Sequence, residues 1–246
     1  MNTRKFDKNN YEFNNDKPIG VYLIHGFSNT TYEIKELAQF LSQNNFHVIA
    51  NNLPGHGTNI QECNNVKHAD WINKITQDVA KLVSTSKEIY IVGCSMGAVL
   101  ALYLASIFPV NGCIVGGTVL KFNNPFTINF LIPLLHKILK TSPKPVKNNT
   151  STIYYGYSGY PLSALNEFRK LIKVVMKQLS KITSPLLIIH SKSDRLSIKE
   201  NVNIVDENVN SKDKKILIVE KSHHNLFDTN PDQKLIFREV LKFITH

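Results

Sequence analysis

The sequence predicts an α/β domain whose central sheet is mostly parallel and carries helices on both faces, with a helical cap inserted into it. Apolar runs of strand length alternate with helical patterns over most of the 246 residues. These runs are continuous rather than alternately polar, as strands covered on both faces require. The rhythm breaks between about residues 118 and 181, a connector too long for an ordinary crossover. The expected organisation is therefore a core of residues 1–117 and 182–246 and a cap of residues 118–181.

Taken in order, Gly20-Val21-Tyr22-Leu23-Ile24-His25 is the first buried strand. Ile34, Leu37, Ala38 and Leu41 then mark one face of a helix by their i, i+3, i+4, i+7 spacing. A short strand follows around Phe46 to Ala50, and a turn-rich loop runs from Asn52 to Thr58. Trp71, Ile75, Val79 and Leu82 share the apolar face of a second helix. Glu88 to Val92 is a buried strand ending at Gly93, and an Ala- and Leu-rich helix runs from Gly97 to Phe108, stopped before Pro109. Gly112 to Gly116 is another short strand. Within the cap, Phe126 to Leu139 and Ala164 to Leu179 read as helices separated by a Pro-, Lys- and Asn-rich stretch from Thr141 to Thr152. Alternation resumes with a strand at Pro185 to His190, a helix, a strand at Lys215 to Val219, and a final helix from Pro231.

Composition narrows the function classes. With 42% hydrophobic and 20% charged residues the chain is globular rather than disordered. Its three cysteines, Cys63, Cys94 and Cys113, form no C-x-x-C pair, and its nine histidines include no H-x-x-x-H or H-E-x-x-H pattern. A disulfide framework and a metal site are therefore not expected. The formal charge of +10 comes from lysines scattered along the chain, which argues for a solvated basic surface rather than a nucleic-acid site. The densest cluster is Lys137, Lys140, Lys144 and Lys147. The first residues lack the apolar core of a secretory signal and no apolar run reaches bilayer-spanning length, so a cytoplasmic protein is expected.

The strongest chemical signal is Gly93-Cys94-Ser95-Met96-Gly97, set between a buried strand and a helix. That is the context of a G-x-S-x-G nucleophile elbow, in which serine occupies a tight, strained turn and the flanking glycines let backbones approach. A serine hydroxyl is a weak nucleophile that needs a base, and the base needs an orienting acid. For this elbow the partners follow in the order acid, then histidine. Asp194 lies just beyond the strand ending at His190. The adjacent His223 and His224 lie just beyond the strand ending at Val219, with His223 favoured. All of these converge on the carboxyl edge of the sheet, where open α/β sheets place their sites. The rival acids Asp206 and Asp213 fall in a helix and a surface turn.

His25-Gly26-Phe27 ends the first strand, and a backbone N–H there can pair with that of Met96 as an oxyanion hole. Phe27 is the expected donor, because Gly26 permits the turn that aims its N–H inward. His25 and His56 are expected to be buried supports of these loops. The apolar cap residues, Phe126, Phe130 and Leu134 foremost, together with Phe122, Leu131, Leu135, Ile138 and Gly26, are expected to shape an acyl pocket. Tyr154, Tyr155 and Tyr157 add aromatic surface.

With these residues in place the chain resembles the α/β-hydrolase superfamily, in particular its carboxylesterase and monoacylglycerol-lipase branch. The resemblance rests on His25-Gly26-Phe27, Leu53-Pro54-Gly55-His56-Gly57-Thr58, Gly93-Cys94-Ser95-Met96-Gly97, and the Asp194 and His223 loops, and it covers about residues 20–117 and 182–246. It implies the α/β-hydrolase fold and cofactor-free hydrolysis of small-molecule acyl esters or monoacylglycerols by a Ser-His-Asp triad. It also favours His223 over His224, because the family's loop places an Asp five residues after the histidine, here Asp228. A thioesterase or lysophospholipase with the same triad, or a non-catalytic receptor on this fold, are the alternatives. Lys137, Lys140 and Lys144 beside an apolar cap also admit weak association with a membrane surface.

Overall fold

A computed structural model describes residues 3–144 and 153–246; Lys147 and the side chain of Tyr154 fall outside what it describes. In chain order the elements begin with β1 (Thr3–Lys5), β2 (Tyr11–Phe13), β3 (Ile19–Ile24), α1 (Lys35–Gln43), β4 (His47–Ala50), α2 (Ile60–Asn65) and α3 (His68–Thr85). They continue with β5 (Glu88–Cys94), α4 (Met96–Ile107), β6 (Gly112–Gly116), a π-helical turn at Thr127–Leu131, α5 (Ile132–Leu135), β7 (Thr141–Pro143), β8 (Ile153–Tyr155) and β9 (Gly159–Pro161). The chain closes with α6 (Leu162–Met176), β10 (Leu186–Ser191), α7 (Glu200–Asn208), β11 (Lys214–Val219) and α8 (Gln233–Ile244).

The main sheet has the strand order β11-β10-β6-β5-β3-β4-β2 and is parallel throughout except for β2, which runs antiparallel along β4. The apolar runs explain why it is covered on both sides. Along β3, Val21 and Leu23 point to one face and Tyr22 and Ile24 to the other, following the two-residue period of a strand. On the first face they meet Leu37 and Leu41 of α1 and Ile236 and Val240 of α8. On the second they meet Trp71, Ile75 and Leu82 of α3 together with α4, whose side chains from Met96 to Leu102 are buried all round. A helix apolar on every side has no solvated face, and α4 accordingly lies between the sheet and α6.

The cap is less separate than the break in sequence rhythm implies. Leu171, Ile172 and Val175 of α6 belong to the same apolar cluster as Trp71 and Ile75, so the second cap helix is built into the main core. Residues 126–139 do not form one continuous α-helix either. A π-turn precedes Ile132, and Pro133 stands in the first turn of α5, where its missing N–H costs nothing. Among its described residues the cap also contributes to two small ribbons: β7 pairs antiparallel with β9, and β8 pairs parallel with the N-terminal β1. No helix among the described residues is long and apolar enough to cross a membrane.

Parallel strands in register bring their carboxyl ends to one edge. Ile24 of β3 lies opposite Gly93 of β5, Cys94 opposite Gly116 of β6, and Ser191 of β10 opposite Val219 of β11. The loops after β3, β5, β10 and β11 therefore meet, and the cap lies over them.

Candidate active site

Ser95 follows β5 and caps the N-terminus of α4 with φ 57° and ψ −116°. A non-glycine residue in that region stores roughly 1–3 kcal/mol of strain and persists only where its surroundings over-determine it. Here they do. The Ser95 N–H donates to the Gly116 carbonyl at 2.9 Å, and its own carbonyl accepts from Ala98 and Val99 at 3.1 and 3.3 Å. The two elbow glycines are fixed by space. A Cβ at Gly93 would overlap the Gly97 carbonyl, and one at Gly97 would overlap the carbonyl oxygens of Ile24 and His25. The G-x-S-x-G pattern is thus a packing requirement for turning a central strand directly into a helix.

Asp194 sits in the loop after β10 with its side chain fully buried. Its Oδ1 accepts the N–H groups of Leu196 and Ser197 at 2.8 and 2.9 Å, and its Oδ2 accepts from His224 Nδ1 at 2.7 Å. Burial alone would raise this carboxyl; the His224 hydrogen bond and charge, with the two backbone N–H groups, outweigh it and hold the group below the usual carboxylate range.

The sequence favours His223 as Asp194's partner; the structure corrects this to His224. His223 is exposed, its Nδ1 lying 3.4 Å from the Ser193 carbonyl. His224 instead has its ring largely buried against Asp194 and faces the same cavity as Ser95. The physical reason lies in the loop after β11. Both Ser222 and His224 point inward while the residue between them points out, and Ser222 is anchored: Ser191 Oγ donates to its carbonyl, and its N–H donates to Asp232 at 2.8 Å. Asp228, the residue whose count favours His223, has another task. Its Oδ2 is shared by Lys5 Nζ at 2.7 Å and Tyr155 Oη at 2.8 Å.

Burial depresses the His224 imidazole, but the hydrogen bond to Asp194 and the charges of Asp194 and Glu33 offset this and leave its pKa raised. A base must be neutral to accept a proton, so kcat/KM is expected to fall on acidification with a midpoint above the ordinary histidine value of about 6.5. A pH profile on a soluble ester checks this, and a midpoint below that value contradicts it.

The loop after β3 supplies the opposite wall. His25 is fully buried; its Nδ1 donates to the Gly26 carbonyl at 2.9 Å and its Nε2 accepts the Leu53 N–H at 3.1 Å. His56 Nε2 accepts the Ser28 N–H at 3.1 Å, holding that residue at a φ of 57°. Burial pushes both imidazoles down, His25 to about 4, which suits neutral rings with one acceptor nitrogen each. Phe27 lies between these anchors, its ring stacked 5.7 Å from Phe168. Met96 opens the first turn of α4, where helix N–H groups have no partner within the helix.

Gly26, Phe27, Ser95 and His224 line a cavity of about 620 Å³. Its walls are mainly apolar: Val119, Phe122, Ile128, Ile132, Leu135 and Leu165 are among them. Phe126, Phe130 and Leu134, expected from sequence to line the acyl pocket, do not. They are 63%, 64% and 64% exposed, because their i, i+4, i+8 spacing puts them on the outer face of the cap segment. Ile128, Ile132, Leu135 and Leu139 take the inner face. The apolar cap pattern predicts a pocket but not its phase, which the π-turn at Thr127–Leu131 shifts.

A mostly parallel sheet with a serine on a strand-to-helix elbow, a buried Asp–His pair on later loops of the same edge, and a capped apolar cavity define a serine hydrolase of the α/β-hydrolase class. Residues 17–232 match the family described as serine aminopeptidase, S33, and the chain belongs to that family. It is 26% identical over 233 residues to the thermostable monoacylglycerol lipase of Bacillus sp. (strain H-257), covering 92% of this chain and 90% of that protein. It is 23% identical to the carboxylesterase of Bacillus subtilis (strain 168), over 91% of each. Among solved structures, one from work on the metagenome-derived lipolytic enzymes LipS and LipT superposes with a TM-score of 0.88 at 23% identity over 97% of both chains. A soluble variant of the Saccharomyces cerevisiae monoglyceride lipase superposes with a TM-score of 0.77 at 17% identity, over 94% of this chain and 87% of that one.

Proposed function

We propose that this chain hydrolyses carboxylic esters of short- to medium-chain acyl groups, monoacylglycerols among them, through Ser95, His224 and Asp194. The observation that carries the reading is the Asp194–His224 pair facing, with Ser95, into one apolar cavity. Asp194 accepts the proton-bearing Nδ1 of His224, which leaves Nε2 as the acceptor for the serine proton. Ser95 Oγ then attacks the ester carbonyl as His224 takes its proton. The N–H groups of Phe27 and Met96 bind the oxyanion, and His224 returns the proton to the departing alcohol. Water, deprotonated by the same histidine, releases the acid from the acyl-Ser95 intermediate. The apolar cavity holds the acyl chain, and the named activities of the two Bacillus relatives support an ester as substrate.

The experiment is a p-nitrophenyl ester series from acetate to palmitate, with 1-monoacylglycerols and aminoacyl p-nitroanilides alongside. Activity should peak at a short or medium chain, extend to monoacylglycerols and be absent on the anilides. Turnover of the anilides with none of any ester would overturn the reading.

The outer face of the cap supports a weak attachment to anionic lipid surfaces. Phe126, Phe130, Leu134 and Ile138 are exposed side by side with Lys137 and Lys140. Co-sedimentation with vesicles containing anionic lipid should be measurable, and should drop at least threefold on Phe130→Ser with Ile138→Ser; equal sedimentation of both forms contradicts it.

A further inference from the structure

One buried acid in the site has no part in the triad. Glu33 lies in the short 3-10 turn Thr31–Glu33, is 1% exposed, and lines the same cavity as Ser95 and His224. Its Oε2 accepts the Gly26 N–H at 2.5 Å. A Cβ at Gly26 would lie 3.0 Å from both Glu33 Oε2 and Ser95 Cβ, so carboxyl and nucleophile both pack against this one residue. A carboxyl is an expensive group to bury, and an apolar residue would fill the space at less cost. Burial raises this carboxyl, opposed by the Gly26 N–H, by the charge of His224 and by contacts with Asn29 and Cys94.

The two peptides that precede the oxyanion donor show what the carboxyl does. The Gly26–Phe27 peptide carries the Phe27 N–H at one end and the Gly26 carbonyl at the other, and that carbonyl is held by His25 Nδ1 at 2.9 Å and the Asn29 N–H at 3.3 Å. Because a peptide is planar, fixing its C=O fixes the direction of its N–H. The next peptide back, His25–Gly26, joins it at a glycine, the residue that restrains backbone rotation least. Glu33 grips the N–H of that peptide. Farther along, His56 holds the Ser28 N–H at 3.1 Å and the Tyr157 N–H donates to the Ser28 carbonyl at 3.0 Å. Glu33 is thus the pin on the side of the loop that Gly26 would otherwise leave loose.

We infer that Glu33 is a positioning residue for the oxyanion hole, its carboxyl oxygen holding the Gly26 N–H so that the Phe27 N–H stays aimed at the developing negative charge. This inference rests on the ester-hydrolase reading. It makes Glu33 act on the transition state and not on substrate binding, because the carboxyl grips backbone rather than acyl chain.

The test compares wild type, Glu33→Gln, Glu33→Ala and Glu33→Asp on p-nitrophenyl butyrate, with active sites counted by fluorophosphonate titration. It records kcat, KM, melting temperature, and the inhibition constant of an alkyl boronic acid, whose tetrahedral adduct on the serine places an oxygen in the oxyanion hole. Glu33→Ala should lower kcat per active site about 30- to 100-fold, part of the 10²–10³ that loss of a whole donor costs. KM should stay within threefold, and boronate affinity should fall in step with kcat. Glu33→Gln keeps an acceptor oxygen and should remain within about fivefold of wild type. If the alanine variant does not fold, the contrast between Gln and Asp carries the test, since Asp withdraws the acceptor by one methylene and should lose at least tenfold more than Gln. Unchanged kcat and boronate affinity in Glu33→Ala, whatever its melting temperature, or a Gln variant as impaired as Ala or Asp, would overturn the inference while leaving the hydrolase reading intact. A folded wild type that neither takes the label nor turns over ester overturns both.

Discussion

His224→Ala is expected to lower kcat on a p-nitrophenyl ester by about 10⁴–10⁶-fold, the scale on which loss of a triad base acts, whereas His223→Ala stays within about threefold. The two residues are neighbours of identical type, so composition, charge and local propensity are matched between the variants. They differ in what their rings touch. His224 Nδ1 is 2.7 Å from a buried carboxylate and its ring faces the cavity shared with Ser95. His223 is exposed and faces only a backbone carbonyl at 3.4 Å. Steady-state kinetics on both variants, with folding checked by circular dichroism, decides the matter. A large loss in His223→Ala together with an active His224→Ala would contradict the assignment.

Asp194→Asn is expected to lower kcat by about 10⁴ with little change in fold. The amide can still accept the N–H groups of Leu196 and Ser197 through its oxygen, which preserves the turn after β10. Its NH₂ would then face His224 Nδ1 as a donor, favouring the tautomer with its proton on Nε2, where the serine proton must go. Removing the carboxylate also removes the main influences that hold the imidazole up against burial, so the acid limb of any residual activity should move to lower pH. An Asn variant that retains more than a tenth of wild-type kcat with an unmoved acid limb contradicts the role given to Asp194.

The sheet was legible because its strands are unusually plain in sequence. Val21 to Ile24, Ile89 to Val92 and Leu186 to Ile189 are continuous apolar runs of strand length, the pattern of a parallel sheet covered on both faces. The elbow was legible for a different reason: Gly93 and Gly97 are dictated by backbone contact, so the pattern survives as residue identity. Two features were hidden because one-residue phase decides them. Which of two adjacent histidines turns inward depends on how Ser222 is anchored to Ser191 and Asp232, contacts between segments far apart in the chain. Which face of residues 126–139 lines the cavity depends on a π-turn that shifts helical phase; Pro125 and Pro133 flank it but do not fix which face turns inward. Glu33 was hidden as well, since an acid two residues before an amphipathic helix reads as an ordinary helix-start residue. The N-terminal β1 and β2, three residues each, are too short to carry a periodic signal and are held by pairing with β8 and β4.

The central claim is that Ser95 is a nucleophile activated by His224. Its most direct test is to treat the folded protein with a fluorophosphonate and map the adduct by mass spectrometry, with Ser95→Ala and His224→Ala alongside. The expected result is a single stoichiometric adduct on Ser95, absent from the serine variant and slowed at least a hundredfold in the histidine variant. Folded wild-type protein that takes no label, or takes it at another residue, would contradict the account.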